Sequence, residues 1–130
     1  FHGIDSLGWE PLPHELVANY FQFIKDHESN LWVATFEDAG KYMRERMDTK
    51  AVSKVNDDSI TVSLQRSLDT SVYNIPLTLK TYVPDDWKKV QVKQDGKTTE
   101  ANLKKDEKGT YILYPVNQNT TNIVLQKAKS

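Results

Sequence analysis

The hydrophobic pattern of this 130-residue chain changes period once, near residue 49, and that change limits the folds open to it. Up to about residue 48, apolar residues recur at helical spacing in two stretches, each following a short apolar segment. From Thr49 onward the period is two. "SITVSLQR" sets Ile60, Val62 and Leu64 against Thr61, Ser63 and Gln65, and "NIPLTLKTYV" sets Ile75, Leu77 and Leu79 against polar partners. "AVSKV", "KVQVKQ", "TTEANL", "TYILYPV" and "NIVLQ" complete a series of about seven short strands, the pattern of a β-sandwich. Pro76 places its strand at an edge or at a strand start. Asp95-Gly96 supplies the positive φ angles of a two-residue hairpin turn.

The first part reads strand, helix, strand, helix. Phe1 and His2 read as the end of a buried strand, and "GIDSLGW" as the loop leaving it. Pro13 to Glu28 reads as a helix with Pro13 in its first turn. Leu16, Val17, Tyr20, Phe21, Ile24 and His27 form its apolar stripe. "LWVATF" reads as a buried strand with Trp32 in the core. Thr35 with Asp38 reads as a capping-box-like start of a second helix, Phe36 to Met47, with Ala39, Tyr42, Met43 and Met47 on one face. Alternation of this kind belongs to a parallel α/β sheet or barrel. Two strands cannot form such a sheet alone, because its strands are buried on both faces. Residues 1–48 are therefore expected to be a fragment whose exposed edges associate with a missing segment or with another chain.

Charge divides at the same place. Residues 1–48 hold 4 Lys/Arg and 9 Asp/Glu, whereas residues 49–130 hold 13 and 9. A net charge of −1 gives no electrostatic case for nucleic acid. With no cysteine there is neither a disulfide framework nor a thiolate metal site. No apolar run approaches the roughly 18 residues of a membrane span.

His2 is the sharpest candidate for chemistry. Ligands of α/β folds bind at the carboxyl ends of strands, and imidazole can deliver a proton near neutral pH. A histidine that only caps a terminal loop is the competing reading. Trp9 offers an aromatic face for a sugar ring, or simply packs on its own domain. His14 and His27 flank no carboxylate at metal-ligand spacing and read as ordinary helix residues. Asp5, Glu10 and Glu15 read as a solvated face. Trp87, in "DDWKK", reads either as a surface aromatic or as the cover of one end of the sandwich. Asn119-Thr120-Thr121 fits a glycosylation acceptor. The chain contains no complete active site of any familiar kind.

"FHGID", "GWEPLP" and "LWVATFEDAGKYMRER" together resemble the C-terminal end of NodB-homology polysaccharide deacetylases, in the bacterial group that carries an appended β-sandwich. The resemblance covers residues 1–48 and extends less specifically through "LDTSVYNIPLTLKTYVPDDWKKVQV". It implies the last β/α units of a distorted (β/α) barrel at 1–48, followed by an immunoglobulin- or fibronectin-like sandwich at 49–130. It implies a hydrolase that removes acetyl groups from a polysaccharide or oligosaccharide, using a divalent metal, usually zinc, held by an Asp and two His. His2 matches the family's general acid, and Phe1 falls where an apolar residue meets the acetyl methyl. The "T-F-D-D" and "H-x-x-x-H" motifs that carry the metal and base are missing from these residues, so the chain alone is expected to be inactive and metal-free. The resemblance further implies an acetylated carbohydrate as partner and an extracytoplasmic location. A different reading makes the sandwich a glycan-binding or docking module, carried by an exposed aromatic platform at Trp87 or Tyr82. In a third reading the sandwich only buttresses the barrel.

Overall fold

The computed structural model describes residues 2–128. Two compact units divide the chain, residues 1–35 and 36–130. The first unit opens with a minimal hairpin, β1 (Gly3–Ile4) and β2 (Leu7–Gly8), followed by helix α1 (His14–Asp26). The helix expected from Pro13 to Glu28 is present. Its apolar stripe, however, is mostly exposed, and Val17 is its only buried residue. Thirty-five residues enclose too little volume to bury a whole helix face.

Three expectations fail in this unit. "LWVATF" forms no strand; among the described residues no strand pairs with it. Trp32, expected in a core, is 58% exposed, with Leu31 and Val33 exposed beside it. Nor is His2 at the end of a buried strand; it is exposed and precedes the two-residue β1. No barrel closes among the described residues.

The second unit is helix α2 (Phe36–Asp48) followed by eight strands: β3 (Lys50–Asn56), β4 (Ser59–Gln65), β5 (Leu77–Tyr82), β6 (Val90–Gln94), β7 (Lys97–Ala101), β8 (Leu103–Asp106), β9 (Gly109–Val116) and β10 (Asn122–Lys127). They form two antiparallel sheets, ordered β3-β4-β10-β6-β7 and β5-β9-β8. The period-two reading holds closely. Ile60, Val62 and Leu64 are buried, as are Val90, Val92, Ile112, Tyr114, Val116, Ile123 and Leu125. Together with Leu77, Val83 and Trp87 they form one apolar cluster shared by both sheets. Pro76 stands just before β5, where its missing N–H costs the ladder nothing. Asp95 (φ 49°) and Gly96 (φ 72°) make the β6–β7 turn with both central residues at positive φ. "TTEANL" divides between β7 and β8, which belong to different sheets, with Asn102 at the crossing.

Helix α2 packs as part of this unit, so the change of period and charge near residue 48 marks where the sheets begin. Its buried side matches the expected one at Ala39 and Tyr42, both half-buried, and departs from it at the two methionines. Met43 and Met47 face outward, while Tyr42 packs against the core and Glu45 is 4% exposed. Glu45 Oε1 accepts from the Ile75 N–H at 2.9 Å. One turn on, Asp48 accepts from the Ser67 N–H at 2.7 Å, the Leu68 N–H at 3.3 Å and the Ser67 hydroxyl. These two carboxylates tie the β4–β5 connection to the helix, and the Ser67 bonds hold the Asp48 pKa below its ordinary value.

On the outer face of the small sheet, Lys80 Nζ lies 2.5 Å from Asp106 Oδ2, and the Tyr82 hydroxyl donates to the same oxygen at 3.0 Å. Hydrogen bonding by Lys80 is the main reason the Asp106 pKa falls to about 2 from 3.8. A carboxyl depressed on folding contributes stability that is present above its unfolded pKa and lost as pH falls through its folded pKa. The second unit should therefore lose stability between about pH 4 and pH 2. Asp106→Asn should flatten that part of the curve in urea denaturation followed by circular dichroism. An acid limb of unchanged slope in the variant would remove Asp106 from the cause.

Candidate functional site

The hairpin in the first unit brings His2 and Trp9 together. Gly3 pairs with Gly8, and Ile4 with Leu7, around the two-residue turn Asp5-Ser6. Continuing that register sets His2 across from Trp9. Their ring centroids are 5.2 Å apart, with planes inclined at 58°. Only glycine allows this approach. A Cβ on Gly3 would fall 1.8 Å from the Leu7 carbonyl oxygen. One on Gly8, at φ +95°, would fall 2.4 Å from the His2 carbonyl oxygen.

The loop then folds back under the hairpin. The Asp5 N–H donates to Leu12 O at 2.8 Å, and the Leu12 N–H to Gly3 O at 3.1 Å. Pro13 gives α1 no side-chain cap. Asp5 supplies it instead: its Oδ1 accepts from the His14 N–H at 2.9 Å and lies 3.1 Å from His14 Nδ1. A carboxylate here satisfies an otherwise unpaired helix N–H and faces the positive end of the helix dipole. Asp5 is thus exposed, as expected, and is a capping residue as well.

Between hairpin and helix lies a groove of about 480 Å³, lined by His2, Glu10, Leu12, Leu16, Val17 and Tyr20. Its floor is aliphatic. At its rim stand an imidazole, a carboxylate and a phenol, with Trp9 against the imidazole. Such a groove can hold an apolar substituent, lay aromatic rings along the C–H face of a sugar, and present His2 as a proton donor or acceptor to the group beside it. Glu10 is held at φ 45°, a left-handed conformation unusual for a residue with a side chain.

Phe1, which the resemblance places beside the acetyl methyl, lies outside the described residues. His14 serves the helix start, and His27 stacks on Phe23 at 4.2 Å and donates through Nδ1 to Phe23 O at 2.7 Å. Trp87 is 2% exposed and belongs to the core, which removes it as a surface platform. Tyr82 is 39% exposed, and its ring lies 5.9 Å from that of Tyr111. Among the described residues no group of three or more His, Asp or Glu converges to hold a metal ion. The divalent ion that the resemblance implies does not fit these residues. The pairing of Gly3 with Gly8 had a signal in the sequence, two glycines symmetrically placed about Asp5-Ser6; the Asp5 cap had none, since its helix starts nine residues later. Comparison of the chain with protein-family models, with curated proteins and with solved structures finds no match.

Proposed function

We propose that this chain supplies the proton-donating side of a carbohydrate deacetylase site, in a protein whose metal ligands and base come from other residues. The observation that supports this reading is the His2–Trp9 pair at the mouth of the apolar groove. On this reading the sugar lies along Trp9 and Tyr20, and His2 Nε2 or Nδ1 gives its proton to the departing amine or hydroxyl. Leu12, Leu16 and Val17 offer the acetyl methyl an apolar surface beside it. Residues 1–48 would be the last β/α units of the family's barrel, completed by further chain or by another copy. The exposed Leu31, Trp32 and Val33 would then be covered by a neighbour. Residues 49–130 would be an immunoglobulin- or fibronectin-like β-sandwich with an accessory role, an assignment supported by the two antiparallel sheets and their common core. A polysaccharide substrate places the protein outside the cytoplasm.

A second reading, a non-catalytic glycan-binding module, is favoured by one observation. The exposed Tyr82 and Lys80 cluster with the half-buried Tyr111 on the small sheet, with Lys80 Nζ 3.9 Å from the Tyr111 ring centre.

Titration of the ¹⁵N-labelled chain with a chitin tetramer, and separately with its deacetylated counterpart, tests both readings. The Trp9 indole and His2 signals should shift with the acetylated sugar, and Trp9→Ala should weaken binding at least tenfold. Shifts confined to Tyr82 and Tyr111 would transfer the function to the sandwich. The 130 residues with added zinc should release acetate no faster than buffer; metal-dependent release by this chain alone would overturn the division of the site.

A further inference from the structure

Arg66 stands directly after β4, where helix α2 meets the β4–β5 and β9–β10 connections of the second unit. Its Nη1 donates to Asn117 O at 2.7 Å, while its Nε and Nη2 are buried and bond to no protein atom. Nε–H and the nearer N–H of Nη2 lie along one edge of the planar guanidinium, a fork shaped for an acceptor oxygen. A buried donor left without an acceptor costs more than an ordinary hydrogen bond gains, so the fork calls for a partner. The carboxylates nearby are otherwise engaged. Glu45 Oε1 accepts from the Ile75 N–H at 2.9 Å, and both oxygens of Asp48 accept from Ser67 or Leu68. Their negative charges nevertheless act on Arg66. Guanidinium and carboxylates thus attract one another across a gap that no direct bond closes.

That gap is a small cavity lined by Arg66 together with Glu45, Asp48, Thr49, Thr70, Tyr73 and Gln118. The room it leaves for a water centre is about 10 Å³, which is the size of one water and of nothing larger. Charge narrows the occupant further. Two carboxylates against one guanidinium oppose a small anion, and the guanidinium opposes a cation. Water is neutral, and its oxygen accepts from the fork while its two protons remain to be given. The carboxylates of α2 can take one. The Thr49 oxygen can take the other, because its own proton goes to Glu45 O at 2.7 Å. A water with three or four polar partners is the usual resident of a polar cavity this small.

We propose that this cavity is a binding site for a single structural water, which joins the Arg66 fork to the carboxylates of α2 and so fastens the helix to both connections. A crystal structure of the 130-residue chain should show one water within about 2.7–3.2 Å of both Nε and Nη2 of Arg66. A crystal soaked in sodium bromide should show no bromide there. In solution, the Arg66 Nε–H of the ¹⁵N-labelled chain should give a cross-peak at the water frequency, opposite in sign in NOESY and ROESY spectra, as a water held on the protein does. Arg44 and Arg46, both exposed, should give none of that kind. The cross-peak should persist in Thr49→Val, Thr70→Val and Tyr73→Phe, which removes each hydroxyl proton in turn as its source. A guanidinium bonded directly to Glu45 or Asp48, a bromide in the cavity, or an Arg66 Nε–H without the cross-peak would overturn the proposal.

Discussion

Replacing Trp87 by alanine should destabilise the sheet-bearing unit by about 3–5 kcal/mol, the usual cost of truncating a buried aromatic. The indole is 2% exposed and belongs to the same cluster as Val83, Val90 and Ile112. It sits on the connection between β5 and β6, in a turn closed by the Trp87 N–H donating to Pro84 O at 3.1 Å. That connection is itself fastened by the Val83 N–H to Thr110 O at 2.9 Å and by the Thr110 hydroxyl donating to Asp85. Neighbours so constrained cannot collapse into the space the indole leaves, so a cavity penalty adds to the lost transfer energy. In a unit of this size, about 1 kcal/mol corresponds to roughly 4–8 °C in Tm, so a loss of more than 10 °C is expected. Urea denaturation should show a lower midpoint at unchanged slope. Trp9→Ala, by contrast, removes an exposed side chain and should change stability by no more than about 0.5 kcal/mol. If the Trp87 variant kept its stability and lost glycan binding, the indole would be a ligand platform and its place in the core would be wrong.

The contrast between these two tryptophans shows what the sequence could convey. Where strands alternate cleanly, as at Ile60-Val62-Leu64 and Val90-Val92, period alone named the buried face, because an antiparallel sheet with one side packed leaves few other choices. Asp95-Gly96 named its turn for a similar reason: few dipeptides accept two positive φ angles. The failures have physical causes as well. "LWVATF" has strand-forming residues and still forms no strand, since a strand is made by its neighbours and none of the described strands pairs with it. The α1 stripe formed a helix without a core to cover it. In the candidate site, His2 and Trp9 were each recognisable as chemistry-bearing residues. Their pairing depended on Gly3 meeting Gly8, which is a register and not a composition. The tether from Asp5 to His14 was hidden because a cap is usually sought next to its helix. On α2 the hydrophobic pattern pointed to Ala39 and Tyr42, which are half-buried, but also to Met43 and Met47, which stay exposed, and it could not mark the carboxylate that the packed side carries.

That carboxylate should be the most sensitive polar group of the second unit. Glu45→Ala should cost about 2–4 kcal/mol, because it removes a charged acceptor and leaves a partly buried N–H of Ile75 without its partner. A second loss follows at Arg66. Its Nη1 donates to Asn117 O at 2.7 Å, while Nε and Nη2 are buried with no hydrogen-bond partner. Burial lowers the Arg66 pKa, and the negative charges of Glu45 and Asp48 act against that shift. Removing Glu45 leaves the guanidinium with less compensation. Glu45→Gln separates the two effects: it keeps an acceptor for the Ile75 N–H and discards the charge, so it should cost about 1 kcal/mol. Arg66→Met combined with Glu45→Ala should cost less than the sum of the single changes by about 1 kcal/mol or more, as expected for two groups that serve one another. Urea denaturation of the four variants measures this directly. Strict additivity would mean that the helix carboxylate holds the β4–β5 connection through the Ile75 bond alone, with no share in keeping Arg66 inside.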